Sequence, residues 1–295
     1  EGTGKSNVIS TFIAGAILTS DDHEEMDTLG FTIAPNSALK AVLHFDTEQS
    51  GPHLHKNMET AKRRANLKSF PKFYYAFSMV ALTRQQRLQT IRDSMDLYHH
   101  RHGGIHLVVI DGAADLVSSA NNEAECISLI EELYRLAGMY HTCIVFALHH
   151  IPNGLKIRGP IGSETHRKAA GILSVEKDDD PRFSVIKAVK VRDGNSLDMP
   201  ITLITWNTEK RMFVSAGQKS GEYVKKVKYE KLNNAAIEIF KKQSAYTFGA
   251  LVSAISKDFA DNEEGKAKGY LSFMIKEGII VKTKYNNYKL GDNNV

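Results

Sequence analysis

EGTGKSNVISTFIAGAIL, residues 1–18, carries the strongest indication of the fold. Its first six residues match the second half of the pattern G-x-x-x-x-G-K-[ST], and the apolar spacing after them predicts a helix over 6–19. Glycines let backbone N–H groups curl around a phosphate, and the first turn of the helix adds partial positive charge. We expect the first glycine of the pattern, and the strand that leads into it, to precede residue 1.

The side chains of this turn fit the binding of ATP and Mg²⁺. Lys5 is placed to reach the β- and γ-phosphates, and the hydroxyl of Ser6 is placed to ligate Mg²⁺. The backbone of the turn and the residue after it complete the predicted nucleotide site, which therefore includes Gly2, Thr3, Gly4, Lys5, Ser6 and Asn7.

Short β-rich apolar runs alternate with helical stretches over residues 1–215, which predicts an α/β domain with a largely parallel sheet covered on both faces. The predicted strands are 41–45, 74–78, 107–110, 143–148, 171–175, 184–191 and 201–206. The predicted helices are 6–19, 53–66, 84–98 and 123–138. No helix separates the later strands, so we expect them to form hairpins at the edge of the same sheet. The small, polar stretch AGQKSG, residues 216–221, indicates a linker to a second domain over 222–295.

An acidic segment, DTEQ, follows the predicted strand 41–45. Ligands of open α/β sheets bind at the carboxyl ends of the strands, where Glu48 would lie. Its carboxylate could polarise the water that attacks the γ-phosphate, and it could otherwise be an ordinary acid at the start of a helix. The apolar run LVVI, residues 107–110, is followed by Asp111, which in this order of elements is expected to hold Mg²⁺ and to complete the nucleotide site.

Paired histidines, His149 and His150, end the predicted strand 143–148 and are candidates to sense the γ-phosphate. Metal binding is an alternative for this pair, as it is for the histidines between residues 99 and 106. No carboxylate or cysteine partners occur at ligand spacing, which argues against a metal site. The second group is better explained as a helix end and its loop.

The order of these elements over residues 1–207 resembles the RecA/DnaB superfamily of ring-forming ATPases, and within it the RepA-type helicases of plasmids and mobile elements. The resemblance implies a RecA-like ATPase core, with Glu48 as the catalytic base. It also implies that His149 or His150 is the phosphate sensor. The stretch KVRDG, residues 190–194, matches the family's K-x-R-x-G hairpin. By this resemblance Lys190 and Arg192 reach into the ATP site of a neighbouring subunit, although a surface hairpin with basic flanks would read the same way.

The resemblance further implies a homo-oligomer, which we expect to be a hexamer. An active site shared between subunits requires a ring or a filament. A loop over 153–160 would then line the channel, with Lys156 and Arg158 on the backbone phosphates of single-stranded DNA. This loop contains no aromatic residue for base stacking, which weakens the prediction.

From residue 233 onward the pattern changes to three helices and a hairpin, which resembles a winged helix. The third helix places Lys266, Lys268 and Lys276 away from its apolar face, and the hairpin adds Lys282 and Lys284. These lysines are predicted to contact duplex DNA. Winged helices also bind proteins, and this face has no arginine, the usual reader of bases.

Charge supports a nucleic-acid partner for the second domain. Residues 221–295 contain 13 Lys and 9 Asp and Glu, so they carry the whole net charge of +4, although a solvated lysine-rich face would look the same. The chain has no apolar run of about 18–20 residues and no signal peptide, and its two cysteines do not form a C-x-x-C pair. We therefore expect a cytoplasmic protein without a membrane partner.

Two functions follow from the sequence as hypotheses. The first is an ATP-driven motor on nucleic acid, a hexameric DNA helicase of plasmid or mobile-element replication. The second is a DNA-binding regulatory or partition-type ATPase that ATP switches and that does not unwind DNA. A motor needs both the channel loop and Arg192, whereas a switch could lose Arg192 and still bind DNA.

Overall fold

The fold is known from a computed structural model, which describes residues 4–20, 26–148, 159–178, 180–196, 198–260, 263–283, 285 and 287–291. Within these ranges no helix has the length and apolar character needed to cross a membrane.

Four parallel strands form the first sheet: β1 (Ala41–Asp46), β2 (Tyr74–Ser78), β3 (Ile105–Asp111) and β4 (Cys143–Phe146). Their spatial order is β2-β1-β3-β4, with every neighbouring pair parallel. The associated helices are α1 (Lys5–Ala16), α2 (Gly51–Arg64), α3 (Arg84–His102) and α4 (Glu123–Met139). The predicted mixed α/β fold with a parallel sheet is confirmed at this level, and the arrangement is compatible with a Rossmann-like core.

The two central strands, β1 and β3, are buried on both faces, as strands covered by helices require, whereas β2 and β4 are partly exposed. All six residues of β1 are buried. Leu43 and Phe45 pack with residues of α3 and α4 on one face, whereas Val42 packs with residues of α1 and α2 on the other. Alternate residues of β1 therefore serve two separate hydrophobic layers.

The later strands form a second four-stranded sheet: β5 (Gly171–Lys177), β6 (Phe183–Val191), β7 (Thr202–Asn207) and β8 (Met212–Gln218), in this order. We predicted that they would extend the edge of the parallel sheet, and in the described residues this prediction was wrong. β6 pairs antiparallel with β7, and a short turn joins β7 to β8, so these strands pair with one another. Helix α5 (Gly159–Lys168), which precedes them, was not predicted as a helix.

Three helices and an antiparallel hairpin follow: α6 (Gly221–Phe240), α7 (Phe248–Phe259), α8 (Glu264–Lys276), β9 (Ile280–Lys282) and β10 (Tyr288–Leu290). They have a hydrophobic core of their own, built around Leu251, Ile255 and Leu271. Helix α6 begins earlier than predicted, because Ser220 Oγ accepts the N–H of Tyr223 and caps it. The stretch 216–221 thus consists of the end of β8 and the start of α6.

The chain divides into two compact units. We call Glu1–Lys190 with Thr202–Gly217 the α/β unit, and Val191–Ile201 with Gln218–Val295 the helical unit. The loop Val191–Ile201 is thus grouped with the helical unit, although in the chain it lies between β6 and β7.

Candidate functional site

The turn before α1 depends on a glycine. Gly4 has a positive φ of 98°, which is strained for any residue with a side chain. A Cβ at this position would also lie 3.4 Å from Ile204 Cδ1 and 3.5 Å from the Phe213 ring. Helix α1 begins at the next residue, Lys5, so the N-terminal end of the helix lies at this turn. Such a helix start attracts anions.

The two predicted magnesium ligands lie together. Ser6 Oγ donates to Asp111 Oδ2 over 3.2 Å, joining the first turn of α1 to the end of β3. Gln49 Nε2 donates to Ser6 Oγ over 3.4 Å, and Asn57 Nδ2 donates to Gln49 Oε1 over 3.2 Å. This short chain of hydrogen bonds links the hydroxyl to α2. A hydroxyl and a carboxylate side by side are oxygen ligands of the kind that Mg²⁺ prefers.

Asp46 is a part of the site that the sequence analysis did not assign. It is fully buried at the end of β1, in register with Asp111 on the neighbouring strand. Its Oδ1 accepts the N–H groups of Glu48 (3.1 Å) and Gln49 (2.8 Å). Burial, the largest influence, raises the pKa of its carboxyl above the usual range. Asp46 therefore fixes the backbone from which the Glu48 side chain extends.

Thr47 ties the ends of the two central strands together. Its Oγ1 donates to the carbonyl oxygen of Gly112, 2.7 Å away, and its N–H donates to the carbonyl oxygen of Asp111 over 3.0 Å. A Cβ at Gly112 would collide with Thr47 Oγ1 and with Glu48 Cγ, so Glu48 packs directly over this glycine. The structure thus brings Glu48, which is exposed, to the strand end that carries Asp111.

An aromatic pair borders the Gly4 turn. Phe213 on β8 donates its N–H to Asn7 Oδ1 over 3.2 Å. Trp206 on β7, the only tryptophan of the chain, is 47% exposed and meets the Phe213 ring edge-on, with 5.6 Å between centroids. The sequence analysis missed this pair, because no local pattern shows that Phe213 lies beside Gly4, which comes so much earlier in the chain.

The two predicted fingers differ in their surroundings. Lys190 Nζ donates to the carbonyl oxygen of His166 and lies 3.5 Å from that of Arg167, so it binds the C-terminal end of α5 within its own chain. Arg192 follows β6 and is exposed.

The predicted DNA-binding lysines lie on the helical unit. Lys276 on α8 and Lys282 on β9 are exposed, and Lys266 is partly buried. Lys268 is exposed but its amine lies 2.7 Å from Glu264 Oε1, a pair that offsets its charge. The predicted residues that fall outside the described part of the chain are Gly2, Thr3, His149, His150, Lys156, Arg158 and Lys284.

The histidines that end α3 take part in an aromatic cluster. His102 Nε2 lies 2.9 Å from Tyr75 Oη, and the His99 ring contacts the Tyr140 ring at a tilt of 51°, with 5.1 Å between ring centroids. Across the residues that the structure describes, no group of three His, Cys, Asp or Glu side chains is placed to hold a metal ion.

No family model matches the chain, and no curated protein matches it either. The functional interpretation therefore rests on the meeting of the Gly4 turn, Ser6, Asp111 and Glu48 at one edge of a parallel sheet.

Proposed function

We propose that this protein is an ATP-hydrolysing, RecA-like motor that acts on nucleic acid. One observation carries the proposal: the Ser6 hydroxyl, at the start of α1, meets Asp111, while Glu48, two residues beyond the end of the neighbouring strand β1, packs over Gly112. Nucleotide hydrolysis requires three groups: the start of a helix to bind phosphate, oxygen ligands to hold a cation, and a carboxylate to orient the attacking water.

Each group has a defined part in the proposed reaction. The backbone around Gly4 and the amine of Lys5 bind the phosphates, while Ser6 and Asp111 hold Mg²⁺. When bound, Mg²⁺ neutralises charge on the β- and γ-phosphate oxygens. Glu48 orients the attacking water and accepts its proton, and Asp46 keeps the Glu48 backbone in place through two N–H groups.

The base of the nucleotide is proposed to stack near Trp206. Phosphates bound at the Gly4 turn would lie beside Phe213, whose ring is close to Gly4 and in edge contact with the indole. A half-exposed aromatic surface suits a planar base, which has an apolar face to cover. The contact would also make the fluorescence of Trp206 a direct signal of nucleotide binding.

The motor would be a ring, in which Arg192 acts on the ATP of the neighbouring subunit. Its exposure beyond β6 is compatible with that role. A guanidinium supplied in this way neutralises charge on the transferred phosphoryl group. We propose a homo-hexameric DNA helicase, with Lys156 and Arg158 on single-stranded DNA. The three helices and hairpin of the helical unit would form a winged helix, with Lys276 and Lys282 near duplex DNA.

A second function is favoured by the contact of Lys190 with α5. To act on a neighbouring subunit, this amine would have to leave the carbonyl oxygens that it now binds. A nucleotide-switched DNA-binding regulator, without unwinding activity, would not need it to do so. The two functions differ in whether DNA stimulates ATP turnover.

The proposal is tested by the substitution Lys5→Ala. We expect ATP turnover to be abolished, because the amine that reaches the phosphates is lost, and we expect the fluorescence response of Trp206 to ATP to weaken. Steady-state phosphate release and a fluorescence titration measure the two effects. Lys56→Ala, at an exposed lysine of α2, is the control and should change neither. Full turnover in Lys5→Ala would refute the phosphate-binding role of the turn.

A further inference from the structure

The segment Val191–Ile201, which comprises the last residue of β6 and the loop to β7, is grouped with the helical unit. The strands that it joins belong to the α/β unit through Lys190 and from Thr202, whereas the loop itself belongs to the helical unit. Arg192 lies at the start of this loop. A contact that attaches this loop to the helical unit therefore lies only a few residues along the chain from Arg192.

An ion pair fastens the loop to α6. Lys228 Nζ lies 2.7 Å from Asp198 Oδ1. The lysine side chain is only 17% exposed, and its amine lies 5.0 Å from the centre of the Phe273 ring. Because packing and a cation–π contact already order this lysine, forming the pair costs less side-chain entropy than an ordinary surface pair does.

A hydrogen bond from the core of the helical unit fastens the same turn to α8. Tyr270, which is 4% exposed, donates its hydroxyl to Asn195 Oδ1 over 3.2 Å. Asn195 Nδ2 then donates to Asp198 Oδ2 over 2.7 Å, and the N–H of Asp198 donates to the carbonyl oxygen of Asn195 over 3.0 Å. The contacts from α6 and α8 thus converge on one closed turn, three residues after Arg192.

The far end of the loop is fixed as well. The N–H of Lys219, just before α6, donates to the carbonyl oxygen of Ile201 over 2.9 Å. Ser196, in the middle of the loop, is 9% exposed. Hydrogen bonds and an ion pair therefore attach the loop to the helical unit at Asn195, Asp198 and Ile201, although Arg192 itself is exposed.

We propose that Asn195 and Asp198 are positioning residues of the ATPase reaction, through which the helical unit sets the place of Arg192. This inference rests on the proposed function, in which Arg192 acts on a neighbour's ATP. A misplacement of a charged group by about 1 Å can lower a rate by up to about 100-fold, so a fixed base for Arg192 has a catalytic consequence.

The arrangement also makes the helical unit a regulator of the reaction. Helix α8 supplies Tyr270 from its buried side and carries the exposed Lys276 one and a half turns further along. Nucleic acid that binds α8 would therefore contact the same helix that holds the turn at Asn195. Binding at the helical unit is thereby coupled to the Arg192 loop without any contact with nucleotide.

The test reverses the charges of the ion pair in the full chain. We expect Asp198→Lys to lower kcat for ATP by about fivefold, with the Kd of the nucleotide unchanged, because the loop loses its ion pair with α6 and the hydrogen bond that Asp198 accepts from Asn195. Combining it with Lys228→Asp should restore at least half of the lost rate. In an Arg192→Ala background, Asp198→Lys should cause no further loss. Hydrogen exchange of the loop amides should rise in Asp198→Lys and fall again in the combined variant.

Exchanging the charges of Glu238 and Lys241 is the matched control, since this pair lies within α6 at 2.6 Å and should leave kcat unchanged. Asp198→Asn takes the place of Asp198→Lys in this test if the lysine variant unfolds. If Arg192→Ala lowers kcat but the Asp198 variants do not, or if the reversed pair restores nothing, this inference alone is overturned. A wild-type chain that does not hydrolyse ATP, or an Arg192→Ala variant at full rate, would instead defeat the proposed function and this inference with it.

Discussion

The imidazole of His44 lies in the middle of β1 and is 1% exposed. Its Nδ1 is 3.2 Å from Tyr74 Oη, and among the described residues its Nε2 has no hydrogen-bond partner. Burial lowers the pKa of His44 from 6.5 to about 4, because the charged ring would lose its hydration. In the unfolded chain the ring binds its proton near the ordinary pKa. The contribution of this residue to stability is therefore complete above pH 6.5 and is lost as the pH falls towards 4.

The substitution His44→Gln removes this titration. We expect the wild-type chain to lose about 3 kcal/mol of its free energy of unfolding between pH 6.5 and 4 through this residue, and the variant to lack that part of the slope. Urea unfolding at several pH values measures the difference. Equal slopes in wild type and His44→Gln would show that His44 is not held neutral.

At the level of single residues, the sequence indicated the groups that we propose to carry the chemistry, and it did not indicate the residues that hold those groups in place. Ser6 and Asp111 were predicted as a pair because each ends a recognisable motif, and the structure places them 3.2 Å apart. Asp46 was not singled out, since its role depends on the turn that its own side chain closes. Trp206 was missed because its position depends on the packing of β7 and β8 beside α1, which no local pattern contains.

The helix α2 is tied to the second sheet by a buried arginine. Arg64 is 2% exposed, and its Nη1 and Nη2 donate to the carbonyl oxygens of Asp27 (2.7 Å) and Phe213 (2.6 Å). Burial lowers the pKa of this guanidinium to about 10, which still leaves it charged at neutral pH. Since the N–H of Phe213 bonds to Asn7, the arginine also supports the strand beside the Gly4 turn.

The substitution Arg64→Met is expected to lower the free energy of unfolding by about 2 kcal/mol, because two carbonyl oxygens lose a charged donor in a place where water replaces it poorly. It should also weaken the Trp206 fluorescence response to ATP, since β8 loses an anchor next to Asn7. Urea unfolding and the fluorescence titration measure the two effects. Arg63→Met removes an exposed arginine of the same helix and should cost less than about 1 kcal/mol. An equal loss in both variants would contradict this role of Arg64.

At the level of elements, the periodicity of apolar residues was sufficient to predict the secondary structure where neighbouring strands are joined by helices. It predicted β1 to β4 and their helices to within a few residues, because parallel strands require long crossovers. It failed for α5, whose sequence GPIGSETHRK has two glycines and a proline and therefore does not favour a helix. The start of α6 was placed near residue 233, because the lysine-rich first half of this helix has no clear apolar face.

The two units meet different requirements of the proposed motor. The α/β unit contains the residues proposed to bind and hydrolyse ATP, and the helical unit holds the loop that carries Arg192. In such an arrangement no subunit has a complete active site, because Arg192 is used by a neighbour. The assembly, rather than the single chain, is then the functional molecule, and turnover per subunit should rise with protein concentration.

Mixing two inactive variants tests this sharing directly. We expect Lys5→Ala and Arg192→Ala to be nearly inactive separately, and an equal mixture of them to recover about a quarter of the wild-type rate. In a randomly mixed ring about one interface in four combines an intact Lys5 with an intact Arg192 from the neighbour. ATP turnover of the mixture, after time for subunits to exchange, measures the recovery. Mixing either variant with a chain that carries both substitutions should recover nothing. If the first mixture stays inactive, Arg192 is not shared between subunits, and the nucleotide-switched regulator becomes the better description.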